Sequence, residues 1–229
     1  EFQQGVGVTA DGTCGPDTFR AFDRLVRTVS GGNAAVLREH LTIAELQTGV
    51  SDKVVVLDPG RRVDAQVALA VAVRTEGRLA ALGTQVLLTR GARPDLGPVA
   101  DADNALFANE VGAHLVLSIE IDRSASSLPN GLATFYYGDP GGRTASPSGL
   151  LLAEHVHDAV RARTDLLDCR VHARTWDLLR MTRMPAVRIV LGYRSNPADA
   201  ARLASVEFQD AVAEALAAAI TAFCSPRSD

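Results

Sequence analysis

The sequence predicts an α/β fold in which a twisted, mostly parallel sheet is flanked by helices. The first observation is the Val-Val-Val-Leu run at residues 54–57, which is typical of a strand buried on both faces. The second is the alternation of such short apolar runs with helix-period segments between residues 53 and 224. Because alternating strands and crossover helices build parallel sheets, residues 53–224 are predicted to be one α/β domain.

Two short segments precede this domain. Residues 1–30 are predicted to be a small helical piece, because the turn residues Gly15 and Pro16 are followed by apolar residues at helical spacing. Residues 31–52 are predicted to be a connector with a helical stretch at 34–46. A piece of about 30 residues cannot bury much of a core alone, so the first segment must either dock on the rest of the chain or be the remnant of a larger domain.

Apolar periodicity and turn residues place the elements of the α/β domain in order. Gly83 marks a helix end, since glycine commonly stands just past the end of a helix. The predicted elements are strand 54–57, helix 67–82, strand 85–89, helix 102–113, strands 115–119 and 132–137, helix 150–163, strand 186–191 and helix 200–223. Residues 225–229 form a short tail.

Composition excludes several classes of function. The chain has 23 Lys and Arg against 27 Asp and Glu, a net charge of −4, which argues against a nucleic-acid partner. No uncharged apolar run approaches the roughly 20 residues that a membrane helix needs, so we expect no transmembrane segment. The three cysteines, Cys14, Cys169 and Cys224, match neither a disulfide framework nor a zinc finger, which favours reduced thiols in the cytosol.

Functional residues of such sheets stand at the carboxyl ends of the strands. Here the strand ends carry Asp58-Pro59-Gly60-Arg61, Ser118-Ile119-Glu120, and Gly192 with Ser195-Asn196. Together with Leu-Thr-Arg at 88–90 and Pro-Ala at 185–186, this ordered set resembles the zinc-dependent N-acetylmuramoyl-L-alanine amidases of the amidase-3 type. The resemblance covers residues 53–224 and implies their fold.

Active members of that family hold zinc through the His of Asp-Pro-Gly-His, a Glu at the start of the first helix and the His of Ser-Ile-His. A further Glu near the end of the fifth strand is their base, and the open zinc position activates water. The resemblance places Arg61, Asp64, Glu120 and Val190 at these four positions. A guanidinium cannot ligate a metal and valine cannot transfer a proton, so we expect no catalytic residues, no zinc and no other cofactor.

The charges left at these positions allow more than one arrangement. Arg61 is expected to pair with Asp64 and Glu120 in a salt-bridge cluster, because the strand ends lie close together in this fold. The plainer alternative is that all three are solvated strand-end charges. A carboxylate site for Mg²⁺ or Ca²⁺ is disfavoured by the neighbouring guanidinium.

A second segment of the sequence resembles one particular subgroup of this family. Residues 168–180, Asp-Cys-Arg-Val-His-Ala-Arg-Thr-Trp-Asp-Leu-Leu-Arg, resemble the degenerate CwlM-type members of actinobacteria, and residues 2–18 resemble the end of a peptidoglycan-binding-domain-1 module. This implies a cytoplasmic pseudoenzyme that activates UDP-N-acetylglucosamine 1-carboxyvinyltransferase (MurA), an enzyme of peptidoglycan precursor synthesis, through protein–protein contact. Members of the subgroup also carry a phosphorylated threonine-rich tail, which residues 225–229 do not contain.

The same stretch supplies the candidate binding residues. Basic residues around a tryptophan are typical anchors for a partner, and the resemblance places them beside the old substrate cleft, where a peptidoglycan precursor is also possible. The alternative is a solvated loop whose tryptophan packs inward. The candidate residues are Arg170, His172, Arg174, Trp176, Arg180 and Arg183.

Two other functions stay open. The first is a zinc amidase with an unusual ligand set, in which Asp64 and Glu120 hold zinc and His172 serves as base. It requires His172 within about 3–4 Å of both carboxylates. The second is a module that binds peptidoglycan without cleaving it.

Overall fold

The computed structural model describes residues 2–5, 8–12, 15–21, 34–90, 100–139, 141 and 144–226. The chain divides into two compact units, Glu1–His40 and Leu41–Asp229. The second unit therefore contains the whole predicted α/β domain and part of the predicted connector.

Gln3 links several of the described residues of the first unit. Helix α1 spans Phe2–Gly5, and residues 16–21 are also helical. The Gln3 amide nitrogen donates to Asp11 (2.8 Å) and Thr18 (3.1 Å), while its oxygen accepts from the Gly12 amide (3.0 Å). The predicted helix of the first segment is confirmed as far as residue 21, and its remainder lies outside the described residues.

The second unit is built on a six-stranded sheet in the order β2-β1-β3-β6-β4-β5. Strands β2, β1, β3 and β6 run parallel, β4 is antiparallel to β6, and β5 is parallel to β4. The predicted mostly parallel sheet is confirmed. The strands are β1 Val54–Pro59, β2 Gln85–Leu88, β3 Leu115–Asp122, β4 Leu132–Tyr137, β5 Asp168–Arg174 and β6 Ala186–Tyr193.

Helices cover both faces of the sheet, which explains the unbroken apolar run of β1. Leu57 belongs to the larger core and Val56 to the smaller core on the opposite face. Both side chains are fully buried, because successive residues of a strand point to opposite faces. The helices are α2 Ala34–Leu46, α3 Ala65–Ala80, α4 Asp101–Glu110, α5 Pro147–Arg163, α6 Asp177–Met181, α7 Pro197–Ala204 and α8 Val206–Cys224.

Three elements differ from the prediction. Strand β5 and helix α6 are ordered segments within the basic stretch, which the sequence did not resolve into elements. The predicted helix 200–223 is two helices, because the Ser205 side chain accepts from the Phe208 amide (3.2 Å) and caps the start of α8. Of the described helices, none combines the length and the apolar character needed to cross a bilayer.

Candidate functional site

The carboxyl ends of β1, β3 and β6 meet at one edge of the sheet. Asp58 stands opposite Ser118, Ser118 opposite Arg188, and Glu120 opposite Val190 in the strand register. The sequence placed Glu120 and Val190 at strand ends, and the register brings the two side by side. The site is therefore built by three strands that are far apart in the chain.

Asp58 organises the floor of this site. Its buried carboxylate accepts hydrogen bonds from the Thr89 hydroxyl (2.6 Å), the Asn104 amide (2.9 Å) and the Ser118 hydroxyl (3.0 Å). Three donors satisfy a buried carboxylate well, so Asp58 ties β1, β3, α4 and the end of β2 together.

Arg90 fixes the turn that follows β1. Its buried guanidinium donates to the carbonyls of Pro59 (2.9 Å) and Gly60 (2.8 Å) and also to that of Ala65. Burial lowers the pKa of Arg90, and the neighbouring Arg61 guanidinium lowers it further. The backbone around Gly60 is thus held by a side chain from a different loop.

Glu120 is the most perturbed carboxyl group of the site. Its side chain rests against Gly60, where a Cβ atom would lie only 2.1 Å from the Glu120 Oε2 atom. Within the described part of the chain, the carboxylate has neither a hydrogen-bond donor nor an ion-pair partner. Burial raises its pKa to about 7, and the Arg188 and Arg62 charges offset only part of that effect.

Arg188 is a functional-site residue that the sequence reasoning missed. Its Nη2 atom donates to Asp101 (2.7 Å) and its Nε atom to Ser118 (3.2 Å), while the guanidinium lies over the Trp176 ring at 5.2 Å. A charged residue inside the apolar strand Ala186–Tyr193 was the available signal, because such a charge is retained only when paired.

Three of the predicted binding residues come together beside this site. Phe135 contacts Trp176 at 4.8 Å and His172 at 5.7 Å between ring centroids. The Arg174 guanidinium lies 5.4 Å from the Phe135 ring. Residues His172, Phe135, Arg174, Trp176 and Arg188 therefore form a continuous row, which we call the basic–aromatic row.

The other three predicted binding residues lie outside this row. Arg180 pairs with Asp177 at 2.7 Å. Exposed Arg170 adopts a left-handed backbone conformation (φ 69°), and its amide donates to Asp168 (2.8 Å). The exposed Arg183 is fixed by its backbone amide, which donates to the Asn109 side chain (2.9 Å).

The expected pairing of Arg61 with Asp64 and Glu120 is replaced by other contacts. Asp64 pairs with Arg194 at 3.1 Å. Arg61 donates through Nη2 to the Thr89 carbonyl at 3.1 Å. Arg188, and not Arg61, is the foremost cation acting on Glu120, because β6 runs directly beside β3.

A cleft of about 410 Å³ opens over these strand ends. Its acidic and basic lining residues are Asp101, Glu120, Asp122, Arg62 and Arg188, and its other walls are Val63, Ile121, Trp176 and Val190. Predicted site residues Glu120, Val190 and Trp176 thus share one cavity.

The donor set at this cleft does not fit a hydrolytic zinc site. Arg61 and Val190 offer no ligand atoms, and Asp64 is engaged with Arg194. His172 lies on β5, three strands from β3 and therefore roughly 14 Å away, and its Nε2 atom lies 2.6 Å from the Cys169 carbonyl oxygen. In the described ranges no three His, Cys, Asp or Glu side chains stand together as a metal-binding group.

Comparison with known sequences identifies one matching family and relatives that bear the same family description. The family Amidase_3, N-acetylmuramoyl-L-alanine amidase, matches residues 54–222. The N-acetylmuramoyl-L-alanine amidase CwlM of Mycobacterium tuberculosis is 39% identical over 234 residues, which cover 96% of this chain and 57% of that protein. The germination-specific N-acetylmuramoyl-L-alanine amidase of Bacillus subtilis is 25% identical, over 79% of this chain and 83% of the relative. The chain therefore spans little more than half the length of the mycobacterial relative.

Solved structures share the fold of the second unit. The catalytic domain of the amidase CwlV from Bacillus (Paenibacillus) polymyxa var. colistinus is 28% identical, with a TM-score of 0.65 over 75% of this chain and 97% of that domain. The amidase Ami1 from Mycobacterium smegmatis has a TM-score of 0.67 over 77% of this chain and 99% of its own, at 22% identity. At that identity the second likeness concerns the fold alone.

Proposed function

The chain belongs to the Amidase_3 family of N-acetylmuramoyl-L-alanine amidases, and from this membership we propose that it is a CwlM-type member that regulates peptidoglycan precursor synthesis without hydrolysing peptidoglycan. It would act in the cytoplasm by binding and activating UDP-N-acetylglucosamine 1-carboxyvinyltransferase (MurA). The family assignment agrees with the resemblance found in the sequence.

One observation supports the proposal that this chain does not hydrolyse peptidoglycan. The strand ends that build the site present a valine beside Glu120 and a guanidinium just after Gly60. A water-activating zinc needs neutral nitrogen or carboxylate ligands and a nearby base. The base alone contributes about 10²–10⁴-fold in rate, so a site with Val190 opposite Glu120 lacks a central part of the family's chemistry.

The basic–aromatic row supports a role in binding. Arg174 makes a hydrogen bond to the Ala173 carbonyl (2.9 Å) and lies over Phe135, and within the described residues it has no carboxylate partner. A guanidinium held over an aromatic ring with free donors is a common anchor of protein interfaces. We therefore assign the contact with the transferase to Arg174 and its neighbours on β5.

The hydrolytic side of the proposal is tested on purified protein. We expect no stoichiometric zinc by metal analysis and no release of L-alanyl peptide from muropeptides. Zinc at one equivalent together with released peptide would overturn the proposal.

The regulatory side is tested with purified transferase. We expect its turnover to rise when this chain is added, and Arg174→Ala to weaken that activation. Arg161→Ala is the matched control, because Arg161 lies on α5 and pairs there with Asp158 (3.6 Å). Equal activation by both variants would remove the assignment to Arg174, and no activation by wild-type protein would remove the regulatory function.

The family match favours one other candidate, a zinc amidase with an atypical ligand set. It would use Asp64 and Glu120 as ligands, and the hydrolysis assay distinguishes it. The position of His172 on the edge strand β5 speaks against that residue as its base. A module that binds peptidoglycan without cleaving it would bind muropeptides in the same assay and release nothing.

A further inference from the structure

The cleft over the strand ends holds an acidic group that has no partner among the described residues. Glu120 is half-buried, and no described residue donates a hydrogen bond to its carboxylate or pairs with it. Burying a carboxylate without donors costs free energy, and the pKa raised to about 7 reflects that cost. A ligand that supplies hydrogen-bond donors and a positive charge would reduce this free-energy cost.

Two arginines line the cleft. Arg62 is exposed and, within the described residues, forms no hydrogen bond or ion pair with Glu120, and Arg188 is already engaged. Arg188 is held by Asp101 (2.7 Å) and Ser118 (3.2 Å) and stacks on Trp176. Its charge is therefore largely balanced by Asp101. Asp122 is exposed and lines the same cleft, where it adds a second negative charge.

We propose that this cleft binds the primary ammonium group of an organic amine, with the Glu120 carboxylate as its acceptor. An ammonium group carries one charge and three donors, which suits one carboxylate aided by Asp122. A divalent metal would need more oxygen ligands than these two side chains provide. The carbon chain of the amine packs against Val63, Ile121 and Val190.

This site adjoins the basic–aromatic row, because Trp176 and Arg188 belong to both. Glu120 lies outside the row and Arg174 outside the cleft lining, so variants of these two residues test the two proposals separately. The ammonium group can belong to a free amine or to a lysine side chain of a protein. A cleft of about 410 Å³ is large enough for either chain.

Trp176 provides a direct readout, because it is the single tryptophan of the chain and lines the cleft. We expect n-butylammonium chloride to cause a saturable change in its fluorescence, measured against sodium chloride at equal ionic strength. n-Butanol, which has a similar shape and no charge, is expected to bind at least about tenfold more weakly, because charge-assisted hydrogen bonds are the stronger ones.

Glu120→Gln is the decisive variant. It keeps the shape of the side chain and removes its charge, and it is expected to weaken n-butylammonium binding at least about tenfold. Glu154→Gln is the control, because Glu154 lines a separate groove between α5 and α8. Circular dichroism establishes that both variants are folded before titration.

A second probe identifies the source of the amine. Acetyl-glycyl-lysyl-glycinamide carries the same ammonium group on a peptide. Binding of both probes supports a site that accepts a protein lysine, and binding of n-butylammonium alone supports a small free amine. Equal binding of n-butanol and n-butylammonium, or full binding by Glu120→Gln, would overturn the proposal.

Discussion

Replacing Glu120 by glutamine should make the protein more stable at neutral and alkaline pH. The Glu120 pKa is raised from 4.5 to about 7 by burial, so between these values the folded protein holds a proton that the unfolded chain releases. This bound proton stabilises the folded protein fully below pH 4.5, and the stabilisation is lost as the pH rises through 7. One pKa unit corresponds to about 1.4 kcal/mol, so the loss amounts to about 3 kcal/mol of unfolding free energy.

The assay is urea unfolding followed by circular dichroism at pH 4, 5, 6, 7 and 8 for both proteins. The unfolding free energy of Glu120→Gln relative to wild type should rise by about 3 kcal/mol across this range, most of it between pH 5 and 7. Taking the difference cancels the titration of every group whose pKa the substitution leaves unchanged.

Glu207→Gln is the matched control with the opposite sign. The Ser205 hydroxyl donates to Glu207 (2.7 Å) and lowers its pKa, so Glu207 stabilises the folded protein above pH 4.5 and this effect is lost as the pH falls. Relative to wild type, Glu207→Gln should therefore lose stability as the pH rises. Parallel curves for wild type and Glu120→Gln would refute the reasoning about Glu120.

Three further substitutions test the packing of the site, each by urea unfolding. Gly60→Ala should destabilise by about 1 kcal/mol, because its Cβ would lie 2.1 Å from the Glu120 carboxylate and force that side chain to move, and adding Glu120→Ala should restore most of the loss. Gly192→Ala should cost about 2 kcal/mol or more, since Gly192 has φ 125° and its Cβ would lie 2.8 Å from Asp199. Asp58→Ala should cost about 2–4 kcal/mol, because it leaves the buried Asn104 and Ser118 donors and the half-buried Thr89 hydroxyl without their acceptor.

Each of these outcomes has a clear contradiction. Additive effects in the Gly60 and Glu120 double variant would show that the two residues do not meet. A neutral Gly192→Ala would mean that the loop after β6 relaxes freely. A neutral Asp58→Ala would mean that water replaces the carboxylate.

The sheet was predictable because its central strands are buried on both faces. Residues 54–57 were predicted to be a strand from their apolar run alone, and in the structure they pair with β2 on one side and β3 on the other. Strand β5 was not predicted, because an edge strand is covered on fewer sides and its Asp-Cys-Arg-Val-His-Ala-Arg sequence carries charges throughout. The direction of β4 against β6 likewise follows from packing, since a single strand's sequence does not state its direction.

Some residues of the candidate site were predicted from the sequence and others were not. Glu120 and Val190 were located by the strand-end rule and the family resemblance, and they are register neighbours. Arg188 was missed although a charge inside an apolar strand was a signal, and Phe135 was missed because it lies within a strand whose apolar pattern hides it. Trp176 was predicted to bind a partner. In the structure its ring contacts Phe135 and lies beneath the Arg188 guanidinium.

The sequence by itself determined which chemistry the strand ends possess. A guanidinium at residue 61 and an isopropyl group at residue 190 have the same donor and proton-transfer properties wherever they lie. Only the tertiary structure decided which charges meet, since it joined Asp64 to Arg194 and Arg188 to Asp101 across long stretches of chain. The physical reason is that a pairing depends on a few ångströms of distance, and sheet order, not sequence order, sets that distance.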